Sequence, residues 1–218
     1  MVRRMDMFAL GRNVNHDERS RNFPAPTIQV IQTVKHRRYG DILDQGQVGS
    51  CTGNALAGAI NTAPLRLPGR VMHEKDALRF YSLGTALDNY PGSYPPDDTG
   101  CDGLSVCKAG VQLGYLSSYT HAFGFDHLLG ALMLSPVIIG INWYEGFYNP
   151  SSTGFVDFSG SVAGGHEIEV LGYDAKARFF TLANSWGKGW GLKGYFRMTD
   201  AVMTRLLSEQ GDVTVPVS

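Results

Sequence analysis

The sequence is poor in cysteine. Its 218 residues include only three, Cys51, Cys101 and Cys107. An odd count leaves at least one thiol without an internal partner, and a zinc site needs more ligands than these three offer. We therefore expect no disulfide framework and no bound metal. The low count fits a reducing compartment or a reactive thiol.

The sequence also lacks a long apolar run. The longest one, residues 128–141, is interrupted by Ser135 and Pro136 and is shorter than the roughly 20 residues that cross a bilayer. Arg3 and Arg4 imitate the basic start of a secretory signal, but no adequate apolar segment follows them. These absences predict a soluble protein that has no membrane partner and no classical export signal, and that is cytoplasmic by default.

Charge is unevenly distributed, although the formal net charge is only −1. Residues 1–38 hold eight basic side chains and three acidic ones, so this arm carries about +5 and the other 180 residues about −6. Such an arm fits three roles: binding nucleic acid, covering an acidic body, or forming a solvated tail. It contains no recognisable reader motif and little aromatic interleaving, which argues against nucleic acid.

Helical patterns precede strand patterns along the chain. Apolar spacing and flanking Gly or Pro predict helices at residues 51–60, 73–87, 103–113 and 125–134. Runs of β-branched or alternating apolar residues predict strands at residues 137–141, 167–173, 178–183 and 194–198. A helix-rich half followed by a strand-rich half indicates an α+β fold of two packed subdomains, with a cleft between them as the natural site.

Cys51 stands where a glycine-rich loop enters the first predicted helix, and Ser50 is the predicted N-cap. The partial positive charge of a helix N-terminus favours a thiolate and lowers the pKa of a thiol placed there. A nucleophilic cysteine also requires a base and a group that orients the base. By its position alone, Cys51 is more simply explained as a small buried apolar residue.

Two downstream residues supply the missing partners. His166 follows Gly164 and Gly165 at the start of a predicted strand, and these glycines allow another backbone to come close. Asn184 ends what should be the neighbouring strand, so both side chains could reach one point at the subdomain boundary. The remaining five histidines lack such a setting: His16, His36, His73, His121 and His127.

Three segments resemble the active-site signatures of papain and the cathepsins: DQGQVGSC at residues 44–51, GGH at 164–166 and NSWGKGWG at 184–191. They occur in the family's order. Cys51 precedes His166 by 115 residues and Asn184 by 133, a little less than the roughly 130–150 typical of the family. The resemblance covers about residues 39–198.

This resemblance implies a papain-like fold. A helix-rich left subdomain and a β-sheet or barrel-like right subdomain would flank the active-site cleft. The chain would then consist of an arm at residues 1–38 and a papain-like peptidase domain at residues 39–218.

The resemblance also implies a role for each matching residue. Cys51 and His166 would form the thiolate–imidazolium pair that attacks a peptide carbonyl, and His166 would then protonate the leaving amine. Asn184 would orient the imidazole, and Trp186 would shield that hydrogen bond from water. Gln45 would donate its side-chain amide to the oxyanion, together with the backbone N–H of Cys51.

A second set of matching positions falls where the family binds substrate. Gly100 and Gly103 lie where substrate backbone is bound, and Gly165 and Trp186 lie beside the catalytic residues. The residue after the histidine, here Glu167, lines the pocket for the side chain two residues before the scissile bond. A carboxylate there would favour Arg or Lys in the substrate. Alternatively, Glu167 turns to solvent or pairs with a basic residue of the protein itself.

The chain departs from the usual family pattern at two positions near the nucleophile. Thr52 replaces the tryptophan that follows it, and Val48 replaces a half-cystine three residues before it. These differences resemble a divergent, microbial-type branch. The usual bridging partner, Cys101, is thereby left without its mate, and we expect it and Cys107 to be free thiols rather than a disulfide.

The sequence therefore predicts a cysteine peptidase that acts on peptides or proteins through a thioester acyl-enzyme and needs no cofactor. A catalytically silent papain-fold binding protein, or an acyltransferase with the same Cys–His chemistry, is the alternative. The arm is predicted to be a short inhibitory pro-segment of a zymogen that folds over the cleft, with Phe23 as its anchor. The simpler alternative for the arm is a flexible tail.

Overall fold

The computed structural model describes residues 8–218. The first seven residues of the predicted arm, with Arg3 and Arg4, lie outside that range. Five α-helices occur in the described chain: α1 (Cys51–Ile60), α2 (Glu74–Leu87), α3 (Gly103–Gln112), α4 (Phe125–Leu132) and α5 (Asp200–Ser208). The strands of the same part are β1 (Val34–Lys35), β2 (Ser118–Ala122), β3 (Val137–Tyr144), β4 (Val162–Asp174), β5 (Phe179–Ala183), β6 (Tyr195–Thr199) and β7 (Asp212–Val217).

All the strands belong to one antiparallel sheet. Its main order is β2-β7-β3-β4-β5-β6, and the short β1 adds to β4. Within residues 8–218 no pairing joins β2 to β6, so the sheet stays open rather than closing into a barrel. The central strands β3 and β4 are buried along most of their length, and they carry continuous apolar runs.

Two apolar cores confirm the predicted α+β architecture of two packed subdomains. Helices α1, α2 and α3 enclose the first core, which includes Leu56, Phe80 and Val106. The sheet, α4 and α5 enclose the second, which includes Trp143 and Phe196. Helix α1 packs against β4, so its N-terminus lies at the junction of the two halves. At this junction, where a cleft was predicted, the arm is hydrogen-bonded to Gly165 on one side and Cys101 on the other.

The four predicted helices are present, with ends that differ from the prediction by at most two residues. His73 is the N-cap of α2 and forms a capping box with Asp76. By contrast, β2, β7 and α5 were not predicted. The sequence of β7 contains Pro216, which cannot donate to a sheet ladder, and β2 is half exposed and polar, so neither shows a clear strand pattern.

Strand β4 is longer than predicted, so His166 lies inside it rather than at its start. Gly164 and Gly165, which were left outside the predicted strand, pair with Trp143 and Asn142 of β3. Antiparallel pairing satisfies their backbone groups, and that gain outweighs the weak strand preference of glycine. His166 is consequently held by a strand that has neighbours on both sides.

The arm is built into the fold from residue 8 onward. The backbone N–H of Ala25 donates to His121 of β2 at 2.8 Å, and Ala25 is buried in the sheet core. At the end of the arm, Arg38 forms a buried ion pair with Glu169 of β4. Phe23, the expected anchor, is 60% exposed, so the arm is not held by burial of that ring.

All three cysteines are free and buried, as expected for Cys101 and Cys107. Cys101 precedes α3 and Cys107 lies within it. In the part of the chain that the structure describes, no helix has both the length and the apolar character that crossing a bilayer requires.

Candidate active site

Cys51 is the first residue of α1 and is fully buried. Ser50 occupies the predicted N-cap position, but its side chain makes no capping hydrogen bond. Burial raises the pKa of the Cys51 thiol to about 12, although hydrogen bonding to the backbone of Glu167, Gly11 and Thr52 acts in the opposite direction. The expected lowering by the helix terminus is therefore overcome by the exclusion of water.

His166 and Asn184 meet as predicted, from neighbouring strands. Nε2 of His166 lies 2.7 Å from Oδ1 of Asn184, and the same oxygen accepts the backbone N–H of Ser185 at 2.8 Å. An oxygen that accepts from both sides requires Nε2 to carry its proton, so Nδ1 is the basic nitrogen of the neutral ring. Nδ1 makes no hydrogen bond within residues 8–218. Burial lowers the pKa of His166 to about 4, and the bond to Asn184 opposes that shift.

Two tryptophans enclose the imidazole of His166. The ring of Trp186 stacks on it at 4.8 Å, and Trp143 meets it edge-on at the same centroid distance. Trp186 thus lies over His166, where the resemblance implied a shield for the His166–Asn184 hydrogen bond. Trp143 was missed because the predicted strand ended at Ile141, two residues before it.

Gln45 connects the loop before α1 to the segment after Asn184. Its backbone N–H donates to the carbonyl of Ser185 at 2.9 Å, and the Ser185 hydroxyl donates to Gln45 Oε1 at 2.6 Å. Nε2 of Gln45 donates to the carbonyls of Val48 and Ala9, at 2.8 and 3.3 Å. The side-chain oxygen is thus fixed by the fold, and the amide donor points toward the arm.

Residues 8–13 of the arm cross this site. The backbone N–H groups of Gly11 and Arg12 donate to the carbonyl of Gly165 at 3.2 and 3.0 Å. On the other side, Cys101 N–H donates to Gly11, and Asn13 N–H donates to Cys101, both at 2.8 Å. Arg12 and Cys101 form a parallel bridge. The segment is therefore bound between the two halves as an extended strand.

Glycines make this close approach possible. A β-carbon on Gly11 would overlap the carbonyl of Gly49, and one on Gly165 would overlap the carbonyl of Arg12. Gly100 adopts φ +75°, and a β-carbon there would lie 2.5 Å from the Gly11 oxygen. Two of the predicted substrate-binding glycines, Gly100 and Gly165, thus face a bound backbone, which here belongs to the arm.

The first described residues of the arm lie against Trp186. The ring of Phe8 stacks on it at 4.6 Å. The carbonyl of Ala9 accepts its indole N–H at 3.3 Å, in addition to the amide of Gln45. No pattern in the sequence marks these arm residues, since the apolar run from Phe8 to Leu10 is too short to show a period.

Beyond Gly11, the side chain of Arg12 enters an acidic pocket and is fully buried there. It forms an ion pair with Asp212, and Nη2 also donates to the carbonyl of Gln210 at 2.7 Å. Glu167 lines the same pocket with no exposed surface, so it does not turn to solvent. A β-carbon on Gly103 would lie 2.7 Å from Oε1 of Glu167, so Gly103 adjoins this carboxyl group and not the arm backbone.

Strand register explains the pocket. Gly140 of β3 is directly opposite Glu167 of β4 on one side and Asp212 of β7 on the other. Residues directly opposite in antiparallel strands share a face of the sheet, so the two acids flank a position without a side chain. Burial and repulsion from Asp212 raise the pKa of Glu167 well above its ordinary value.

The family model described as papain family cysteine protease matches residues 89–212, just over half of the chain. The chain belongs to the papain family of cysteine proteases. The matched range includes His166, Asn184, Trp186 and Asp212, whereas Gln45 and Cys51 precede it.

Curated relatives cover different parts of this papain-family chain. A cathepsin B-like cysteine proteinase of Schistosoma japonicum is 31% identical over 121 residues, which is 49% of the chain and 35% of that protein. An uncharacterized peptidase C1-like protein of Acanthamoeba polyphaga mimivirus is 25% identical over 197 residues, 72% of the chain and 63% of that protein. The chain thus spans less than two thirds of either relative.

Solved structures support the fold over the whole chain. Xylellain, a cysteine protease from Xylella fastidiosa, superposes with a TM-score of 0.77 at 21% identity and covers 100% of this chain and 98% of its own. A digestive procathepsin L 3 of the Tenebrio molitor larval midgut gives a TM-score of 0.64 at 17% identity, with 98% and 77% coverage. At these identities, the agreement concerns the fold.

Proposed function

We propose that this protein is a cysteine peptidase that hydrolyses peptide bonds in peptides or proteins, with Cys51 as nucleophile and His166 as base. One observation carries the proposal. Asn184 holds Nε2 of His166 at 2.7 Å and leaves Nδ1 without a hydrogen bond within residues 8–218. A buried imidazole fixed in this tautomer at the junction that also holds Cys51 is the arrangement that an activated thiol requires.

The reaction proceeds in two halves. Nδ1 of His166 takes the proton of Cys51, and the sulfur attacks the carbonyl carbon of the substrate. The C–N bond then breaks as His166 returns that proton to the leaving amine, and a thioester remains on Cys51. Water attacks the thioester while His166 accepts its proton. The released acid and the restored thiol complete the cycle.

Three further residues stabilise these steps. Asn184 keeps the imidazole in the required tautomer, and Trp186 covers their hydrogen bond. Gln45 donates to the oxyanion, a role supported by its bond to a backbone carbonyl of the arm, that of Ala9. An oxyanion donor of this type contributes about 3–4 kcal/mol to transition-state stabilisation.

In the resting chain, the arm at residues 1–38 acts as a short inhibitory pro-segment. Residues 8–13 take up the backbone donors and acceptors around Cys51 and exclude water from it. The pKa values of about 12 for Cys51 and about 4 for His166 favour the neutral thiol and neutral imidazole in this state. The reactive ion pair therefore forms when the arm leaves and water enters. A proform is also among the solved structures to which the chain is similar.

The test is labelling with a thiol-reactive peptidyl epoxide, followed by mass-spectrometric mapping, in a full-length chain whose arm is displaced by Gly11→Val and in the same chain with Cys51→Ala. Modification of Cys51 and loss of peptide hydrolysis in Cys51→Ala are expected. Cys107→Ala is the matched control, because Cys107 is equally buried but belongs to the helical core. Hydrolysis by Gly11→Val/Cys51→Ala at the rate of Gly11→Val would refute the assignment.

The same experiment separates the alternatives. A silent binding protein would be neither labelled nor active, even when a Gly11→Val substitution displaces the arm. An acyltransferase would form the thioester and pass its acyl group to an added amine in preference to water. Product analysis with and without an amine acceptor therefore distinguishes acyl transfer from hydrolysis.

A further inference from the structure

A small internal cavity lies between α1, the strands β4 and β5, and the end of the arm. Asn184 lines it together with Asn54 of α1 and Arg38 of the arm. Its volume is about 10 Å³, which is close to the least space that holds one water molecule. The three side chains are at most 5% exposed, so bulk water cannot supply a hydrogen bond that any of them lacks.

Each of these three side chains has one polar atom that makes no hydrogen bond within residues 8–218. The atoms are Nδ2 of Asn184, Nε of Arg38 and Oδ1 of Asn54. The first two are donors and the third is an acceptor. A buried polar atom without a partner is costly, and buried water molecules typically make about three hydrogen bonds. One water that accepts from both donors and donates to the acceptor satisfies all three side chains.

The neighbours of Asn54 fix the direction of its amide. Nδ2 of Asn54 donates to the backbone carbonyl of Ser50 and to Oε1 of Glu74 in α2, both at 3.0 Å. Both partners are acceptors, so turning the amide over would place its oxygen against two other oxygens. Oε2 of Glu74 also accepts the backbone N–H of Asp44 at 3.1 Å. Glu74 therefore leaves Oδ1 of Asn54 as the atom that is free for the cavity.

The direction of the Asn184 amide matters in turn for His166. Oδ1 of Asn184 lies 2.7 Å from Nε2 of His166, and this contact leaves Nδ1 as the basic nitrogen. If the amide turned over, its NH2 group would face the Nε2–H donor, and the required tautomer would lose its partner. An acceptor on the far side of the amide opposes that rotation. A water molecule bonded to Asn54 supplies such an acceptor.

We propose that this cavity binds one water molecule, which links Asn184 to Asn54 and makes Asn54 a positioning residue for His166. The water accepts from Nδ2 of Asn184 and Nε of Arg38 and donates to Oδ1 of Asn54. This inference rests on the proposed peptidase function and adds a residue of α1 to it. Asn54 acts through Asn184, by keeping the imidazole in the tautomer that accepts the thiol proton.

A crystal structure of the full-length chain tests the water site without requiring catalysis. One ordered water should lie about 3 Å from each of the three unpaired atoms of Asn54, Asn184 and Arg38. In Asn54→Leu, whose side chain has a similar size but no polar atom, we expect this water to be lost or displaced. An empty cavity, a water that does not contact Asn54, or a direct bond between the two asparagines would overturn the proposal.

Steady-state kinetics test the positioning role. In the Gly11→Val background, Asn54→Leu should lower kcat about tenfold with little change in KM, because it misplaces the base and not the substrate. Asn54→Asp/Glu74→Gln exchanges the amide and the carboxyl group and keeps an acceptor toward the cavity, so it should recover most of kcat. An unchanged kcat in Asn54→Leu, or an equal loss in the exchange variant, would overturn the proposal.

Asn61→Leu is the matched control for a loss that is merely structural. Asn61 follows α1 and is 1% exposed, and its side chain bonds to both backbone groups of Met72, at 2.9 and 2.7 Å. It does not line the cavity. Asn61→Leu should therefore lower Tm and leave kcat in the Gly11→Val background unchanged. A fall in kcat equal to that of Asn54→Leu would show that lost stability explains both and would overturn the positioning role.

The two levels of inference fail in different ways. If the Gly11→Val chain cleaves no peptide, the proposed function fails, and the crystal structure still decides whether the water site exists. If that chain cleaves peptides through Cys51 while Asn54→Leu keeps its kcat, the peptidase function stands and the positioning role of Asn54 is refuted.

Discussion

The carbonyl oxygen of Ala9 lies 3.3 Å from the side-chain nitrogen of Gln45. The donor proposed for the oxyanion is therefore engaged with the chain's own arm. The same carbonyl accepts the indole N–H of Trp186. A substrate carbonyl can take this position only after the arm has moved, so activity should be controlled by what holds residues 8–13 in place.

Displacing the arm should activate the enzyme. Gly11→Val introduces a β-carbon into the carbonyl of Gly49, a backbone atom that cannot rotate away. We expect kcat/KM on a small fluorogenic peptide to rise at least tenfold in the full chain. Gly189→Val is the control, since a β-carbon at Gly189 meets nothing within 4 Å. If Gly11→Val is no faster than the parent, the arm does not inhibit.

The same substitution should change the reactivity of Cys51. Because burial raises the pKa of Cys51 to about 12, the thiol is protonated at pH 7. Alkylation by iodoacetamide should therefore be slow in the parent chain and should accelerate as pH rises. Gly11→Val should react faster at pH 7, because water then reaches the sulfur. Mass spectrometry follows the rate at Cys51, and equal rates in the two chains would contradict this account.

Gln45→Glu should remove the proposed oxyanion donor. Glutamate preserves an oxygen that accepts the hydroxyl of Ser185 but removes the amide donor. In the Gly11→Val background, kcat should fall by about 10²–10³-fold. Tm should fall as well, because the new carboxyl oxygen faces the Val48 carbonyl to which Nε2 of Gln45 donates. An unchanged kcat/KM would remove Gln45 from the oxyanion site.

Glu167→Gln should stabilise the fold at high pH. Because the folded-state pKa of Glu167 is raised, its stability contribution is present below the unfolded pKa and is lost as pH rises through the folded pKa. Glutamine does not ionise, so at high pH the free energy of unfolding of the variant should exceed that of the parent. The difference is about 1.4 kcal/mol for each unit by which the fold raises the pKa of Glu167. Urea unfolding at pH 4.5 and pH 8 should show a gain only at pH 8.

A matched acid should behave in the opposite way. Hydrogen bonds from Tyr144 and Arg205 lower the pKa of Glu209, so its contribution is present above the unfolded pKa and is lost as pH falls. Glu209→Gln should therefore destabilise the fold at pH 8.

The prediction for Glu167 would be contradicted by a loss of stability in Glu167→Gln at pH 8. That result would show that Glu167 is ionised and stabilised by Arg12.

Arg38 should contribute strongly to stability. Its ion pair with Glu169 is buried, and Thr62 donates a further hydrogen bond to that carboxylate at 2.5 Å. Arg38→Met leaves Glu169 without its cation and should cost about 3–5 kcal/mol in urea unfolding. Lys188→Met, which removes the exposed pair with Asp41, should cost about 0–1 kcal/mol. Similar losses in the two variants would contradict the importance of burial.

The arm cannot be treated as removable in such experiments. Deletion of residues 1–36 would also remove Ala25 from the sheet core and Val34 from its pairing with Tyr173. A single substitution at Gly11 affects the site and leaves those contacts intact. The sequence predicted an extended cationic arm, but charge alone did not indicate which of its residues enter the fold.

Local signals in the sequence determined the elements and the catalytic motifs. Small residues from Cys51 to Ile60 and the following Pro64 predicted α1 with its observed limits. The motifs that contain His166 and Asn184, 18 residues apart, predicted that these two side chains would meet. The limits of a helix and the presence of a short motif depend on residues that are neighbours in the sequence, so both can be recognised without the structure.

Tertiary structure alone decided the acidic pocket and the state of the thiol. Arg12 and Asp212 are 200 residues apart, and only the register of β7, β3 and β4 places Glu167 beside them. A helix N-terminus predicted an acidic thiol at Cys51, yet burial beneath the arm produces the reverse. The electrostatic effect of the helix N-terminus on Cys51 follows from the local sequence. Desolvation of the thiol depends instead on every segment of the fold that excludes water from the sulfur atom.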